Sequence, residues 1–154
     1  MKISPNIYHL LLAAFCFLPS VIFAQSAEAL PQGLWTVVRI TMEESSGGKT
    51  QTTSYNTTDE VKDLIRFPQA IQLINAEEMV LSYSDREENF PATYTLENDK
   101  IQIVEGVLGY NYQYKINDGE LILSTSEFYY VKNLQDGARE EFTGRWRFYL
   151  KKST

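Results

Sequence analysis

Thr93-Tyr94-Thr95-Leu96-Glu97-Asn98-Asp99-Lys100-Ile101-Gln102-Ile103-Val104 and, a few residues on, Tyr110-Asn111-Tyr112-Gln113-Tyr114-Lys115-Ile116-Asn117-Asp118-Gly119-Glu120-Leu121-Ile122-Leu123 decide the fold class of this chain. In both stretches apolar or aromatic residues alternate with polar ones, the period-two pattern of a strand with one buried face. Asn98-Asp99 and Asn117-Asp118-Gly119 interrupt them with residue types that tolerate the positive φ angles of tight hairpins. Each stretch is therefore predicted to be an antiparallel strand pair.

Outward from these hairpins the same cadence continues in both directions. Strands are predicted at 33–42, 50–55, 70–74, 79–83, 93–96, 100–104, 110–116, 120–125, 128–131 and 141–151. Glu43 to Lys49, with Ser45-Ser46-Gly47-Gly48, reads as a turn. Residues 59–66 read as one or two helical turns, because Val61, Leu64 and Ile65 share a face and Thr58 or Asp59 is placed to cap the first N–H groups; Pro68 ends them. The links are too short for helical crossovers, which excludes a parallel sheet from most of the chain. Eight to ten antiparallel strands bury their apolar face by closing into a barrel or by pairing as a sandwich. Short links suit an up-and-down barrel, and closure would bring the first and last strands, which carry Trp35 and Trp146, side by side.

The N-terminus has a different character. Lys2 precedes the apolar run Leu10 to Leu18, Pro19-Ser20 breaks it, and Val21-Ile22-Phe23-Ala24 follows. That is the order of a secretory signal peptide, with cleavage after Ala24 or, alternatively, Ala27. An uncleaved anchor fits less well, since Tyr8, His9, Pro19 and Ser20 interrupt a segment barely long enough for a bilayer of about 30 Å. A lipid anchor at Cys16 is rejected because Phe15 occupies the position before it, where lipidation needs a small residue. The expected organisation is a signal at 1–24, a polar lead-in at 25–32 and one barrel domain at 33–152, in a periplasmic or extracellular protein.

Loss of the first 24 residues removes Lys2, His9 and Cys16 and leaves 13 basic and 20 acidic side chains, a net charge of −7. An acidic chain without a basic cluster is a poor partner for nucleic acid or for anionic membrane surfaces. Without histidine or cysteine there is no ordinary zinc site, no serine–histidine–aspartate triad and no thiol nucleophile, so no cofactor and no enzymatic activity are expected. The acidic pairs Glu43-Glu44, Glu77-Glu78, Glu87-Glu88 and Glu140-Glu141 read as solvated surface, since strand neighbours point to opposite faces. Asp85, Glu87, Glu88 and Asn89 offer too few oxygens in the wrong spacing for calcium, and Asn56-Thr57-Thr58 reads as a chance glycosylation match.

Gly33-Leu34-Trp35 at the start of the first strand resembles the Gly-x-Trp of lipocalin-like, or calycin, barrels. Tyr94-Thr95-Leu96, Ile101-Gln102-Ile103 and Gly119-Glu120-Leu121-Ile122-Leu123 are similar to elements of the small exported bacterial members. The resemblance implies a basic residue near the end of the last strand packed across the tryptophan, for which Arg145 and Arg147, flanking Trp146, are the candidates. The aromatic content carries the leading functional reading, an interior that takes a small hydrophobic molecule oriented by tyrosine hydroxyls. Tyr110, Tyr112 and Tyr114 share one face of their strand and, with Tyr94, are the candidate ligand-binding residues; the plainer alternative is that tyrosines fill the barrel. An eight-strand barrel is just wide enough for either. A filled core would favour the second functional reading, a module that binds or inhibits another exported protein.

Overall fold

The computed structural model of the protein describes residues 29–135 and 137–153; the expected signal at 1–24 and the lead-in up to residue 28 lie outside the described residues. Ten strands are present among them: β1 (Gly33–Ser46), β2 (Lys49–Tyr55), β3 (Ala70–Leu73), β4 (Glu78–Ser82), β5 (Asn89–Glu97), β6 (Lys100–Glu105), β7 (Leu108–Asn117), β8 (Glu120–Ser124), β9 (Phe128–Asn133) and β10 (Arg139–Lys152). Every pairing is antiparallel. The ring runs β1-β3-β4-β5-β6-β7-β8-β10 and closes through β10 on β1. The Trp35 and Trp146 strands are therefore neighbours, with Trp35 opposite Lys152 and Trp146 opposite Met42.

β2 and β3 lie along the same edge of β1, β2 beside Ile40 to Ser46 and β3 beside Gly33 to Thr36. β8 and β9 divide one edge of β10 in the same way, at Arg147 to Lys151 and Arg139 to Gly144. Each couple is one long stave broken in its middle. The barrel is thus an eight-stave up-and-down meander whose longest staves overshoot one rim as a four-stranded extension in the order β2-β1-β10-β9.

Three local features shape this end. Val38 has no partner in the β1–β10 register and forms a bulge. The extra residue reverses the alternation, so that Trp35 and Val37 point inward before it and Ile40, Met42 and Glu44 after it. Between β2 and β3 the chain leaves the sheet over residues 56–69 and folds back as a plug across the rim. Its helical content is a single 3-10 turn, Asp59–Val61, shorter than the 59–66 expected from sequence. Thr58 makes no side-chain cap there, and buried Val61, with buried Phe67, holds the segment down instead. Finally, the first hairpin is tighter than the sequence suggests: β1 runs through to Ser46, and Gly47 and Gly48, both at positive φ (53° and 77°), make the whole turn.

The core is continuous along the inward faces. At the far end Trp35 donates its indole N–H to the Pro31 carbonyl (3.0 Å), and buried Leu30 of the lead-in packs into the same core. In the middle, Phe67 of the plug stacks on Phe148 of β10 with centroids 3.6 Å apart, and Tyr112 meets both rings edge-on at 5.7 and 6.2 Å. The space left beside this group, between Arg66, Phe67, Tyr83, Tyr110 and Tyr112, is about 10 Å³, on the order of one water molecule.

Candidate functional site

β7 alternates as its sequence requires: Tyr110, Tyr112 and Tyr114 are buried or half-buried, and Asn111, Gln113 and Lys115 are exposed. Tyr110 and Tyr112 border the space of about 10 Å³ beside Phe67, and Tyr112 also borders an open space of about 310 Å³ among the exposed Thr95, Gln102, Asn111 and Gln113. Tyr112 belongs to the central aromatic stack, where burial raises its hydroxyl pKa well above the usual phenol value. Tyr94 is also buried, and its hydroxyl donates to the Asn75 carbonyl (2.7 Å), tying β5 to the β3–β4 turn. Tyr110 and Tyr114 pack against the core cluster from its margin.

Arg145 and Arg147 do not cover an indole. Trp146 points inward, so its neighbours point outward, where Arg145 pairs with Glu127 (3.0 Å) and Arg147 with Glu43 (2.6 Å). The basic residue that closure sets opposite Trp35 is Lys152, near the end of β10. Its aliphatic chain runs over Gly33, where a Cβ would lie only 2.8 Å from Lys152 Cε. Gly33 (φ 127°) thus opens β1 in a conformation and a space that suit glycine.

The side chains that do surround a usable space lie on the extension. Its concave face continues the inward face of the barrel, so the same alternation that fills the core presents Met42 and Glu44 from β1, Thr53 and Tyr55 from β2, Phe128, Tyr130 and Lys132 from β9, and Trp146 from β10. Leu64 of the plug overhangs the rim, 64% exposed. Together they form an open cup of about 400 Å³. Gly144 makes its floor possible: a Cβ there would stand 2.7 Å from both Met42 Cε and Phe128 Cζ, so the absence of a side chain lets those two groups meet over the strand.

Two aromatic sets flank the cup. Tyr55 and Trp146 are in tilted contact (5.9 Å); opposite them Phe128, Tyr130 and Phe142 form a run at 5.7 and 5.6 Å. Between them lies one charged cluster. Glu44 Oε1 accepts hydrogen bonds from the Tyr130 hydroxyl and from Lys132 Nζ (2.8 Å), and the Lys132 ammonium also sits over the rings of Tyr130 (5.5 Å) and Phe142 (4.8 Å). Burial opposes ionisation of Glu44, but the hydrogen bonds from Lys132 and Tyr130 and the nearby positive charge outweigh it and hold its pKa below the ordinary carboxylate value. The bond to Glu44 raises Lys132 correspondingly. An apolar, aromatic-walled space of this volume with a few convergent polar groups is the usual form of a small-molecule site.

A second cluster fixes the plug. Arg66 pairs with Glu105 (3.0 Å) and lies over the Tyr83 ring at 4.6 Å, while Tyr83 donates its hydroxyl to the other Glu105 oxygen (2.7 Å). Burial, then the bond to Glu105, raises the Tyr83 pKa. This latch holds Phe67 in the barrel and Leu64 over the cup.

Sequence reasoning missed the cup. Its residues come from four strands and the plug, and in the sequence Glu44 reads as part of a turn and as solvated surface. The Val38 bulge, which turns Glu44 inward, has no signature in the sequence.

The closed, antiparallel, eight-stave barrel is consistent with the calycin-like architecture expected from the Gly33-Leu34-Trp35 opening. Comparison with family models, with curated proteins and with solved structures returned no match for this chain.

Proposed function

We propose that this is an exported, non-catalytic, lipocalin-like barrel that binds a small hydrophobic molecule in the aromatic cup of its extension, with the barrel interior serving as a packed scaffold. The observation that carries the reading is the pairing of the two spaces: about 400 Å³ in the cup against about 10 Å³ beside the central stack. Export is supported by the signal-like order of residues 1–24.

The test is titration with a neutral fluorescent probe such as N-phenylnaphthylamine. Phe128→Ser should weaken binding by at least about tenfold, as loss of a central contact does, and Leu64→Asp should weaken it by setting a charge at the rim, whereas Tyr112→Phe should leave it unchanged. Insensitivity to both cup substitutions would refute the cup as the site.

A protein-binding role has a specific observation in its favour. Ile74, Val80, Pro91 and Val104 line an open outer groove of about 490 Å³ on β4 to β6, beside Val107, which is fully exposed. If that face is the functional one, Val104→Asp will abolish capture of a partner from the native compartment while leaving probe binding intact.

A further inference from the structure

We infer that the ligand of the cup is an organic cation: an amine or quaternary ammonium carried on an apolar or aromatic body. The inference rests on the cup being the binding site, and it deepens that reading by fixing the sign of the ligand's charge.

The strongest indication is the position that the chain's own ammonium occupies. Lys132 Nζ lies between a carboxylate and two ring faces, bonded to Glu44 Oε1 and set over Tyr130 and Phe142. A carboxylate beside aromatic faces is the arrangement that attracts ammonium groups, because the ring quadrupole and the anion act in the same direction. Lys132 is a tethered occupant of such a site. It is also a displaceable one: it reaches in from β9, a strand paired on one side only, and its side chain is 44% exposed against 18% for Glu44.

Three further features favour a cation over an anion. Both bonds to Glu44 fall on Oε1, so Oε2 retains acceptor capacity for a second donor. The opposite wall, Tyr55 and Trp146, is aromatic as well and can face the body of the ligand or a second side of its cationic head. The chain without its first 24 residues carries a net charge of −7, which raises the local concentration of cations and lowers that of anions. An anion would have to compete with Glu44 for Lys132 while lying against the negative faces of the rings.

Three probes built on one benzyl group separate the possibilities: benzylammonium, benzyl alcohol and phenylmethanesulfonate, titrated by calorimetry against the purified protein at low salt. The cation should bind about tenfold more tightly than the alcohol, and the sulfonate most weakly. Glu44→Gln should abolish the preference for the cation. Lys132→Met should strengthen cation binding severalfold by removing the internal competitor, and it keeps the inference testable should Glu44→Gln fold poorly. Equal affinity for cation and alcohol, or preference for the sulfonate lost in Lys132→Met, would overturn the cation inference. If none of the three binds while N-phenylnaphthylamine does, the inference falls and the cup survives as a neutral hydrophobic site. If none of the four binds, both fall.

Discussion

Phe67→Ala is the substitution that most sharply separates a packed barrel from a hollow one. Phe67 is buried, stacks on Phe148 at 3.6 Å and receives the edge of Tyr112 at 5.7 Å, yet it belongs to a segment outside the sheet. Burying an aromatic side chain removes roughly 150 Å² or more of surface from water, worth about 4 kcal/mol at about 25 cal/mol per Å². The ring pairs add on the order of 0.5 to 1.5 kcal/mol, while partial collapse of the void recovers some of the loss. The expected destabilisation is therefore about 3 to 5 kcal/mol, read as a lower midpoint in urea with an unchanged slope. Leu64→Ala, three residues away but largely exposed, should stay within about 0.5 kcal/mol. Phe67→Ala should also open, where a space of about 10 Å³ now lies, an apolar void able to take a benzene-sized molecule. A loss below about 1 kcal/mol, with no gain of interior binding, would mean that the plug is not seated in the barrel.

Glu105→Gln removes the charge that holds Arg66 and weakens the bond from Tyr83, so the latch should loosen. Amides of residues 64–67 should exchange faster by hydrogen–deuterium exchange while those of β6 and β7 keep their protection. Gly144→Ala should displace Met42 Cε or the Phe128 ring, each 2.7 Å from the new carbon, costing about 1 to 3 kcal/mol and reducing probe affinity by shrinking the cup floor. The Glu44–Lys132 pair gives a pH dependence of defined sign. Because the Glu44 pKa is lowered on folding, its contribution is present above the unfolded value of 4.5 and is lost as pH falls through the lower folded one. The Lys132 pKa is raised, so its contribution is present below 10.5 and is lost only as pH rises through the higher folded value. Acid unfolding of Glu44→Gln should be less steep below pH 4.5 than that of the parent, and equal slopes would show that the pair contributes nothing.

Much of the barrel was legible because its signals are local. Asn98 and Asp118 take the positive φ angles (55° and 49°) that their residue types suggested, and the β5–β6 and β7–β8 hairpins follow. Alternation in β7 placed Tyr110, Tyr112 and Tyr114 on the inward side. What alternation does not encode is what stands opposite each residue. That Tyr112 meets Phe67 and Phe148 depends on a plug from residues 56–69 and on strand closure, both long-range. The cup depends further on the Val38 bulge and on two staves broken at different points, so that Glu44 and Lys132, 88 positions apart, meet. A glutamate that follows another glutamate near a Ser-Gly turn looks like solvated surface, and only the three-dimensional register turns it inward. Arg145 and Arg147 flank Trp146 in the sequence, and strand alternation turns them to the opposite face, where they pair with Glu127 and Glu43. The resemblance pointed to a basic residue near Trp35, and closure sets Lys152 at that position.

Where a bound molecule sits can be read directly from intermolecular nuclear Overhauser effects between the neutral probe and isotope-labelled protein. If the cup is the site, cross-peaks should connect the probe with Leu64, Phe128, Tyr130 and the Trp146 indole, and none should reach Tyr112 or Leu123. Cross-peaks to Tyr112 and Leu123, with the Phe128 and Tyr130 resonances unmoved, would place the ligand in the barrel interior and contradict both the packed scaffold and the cup.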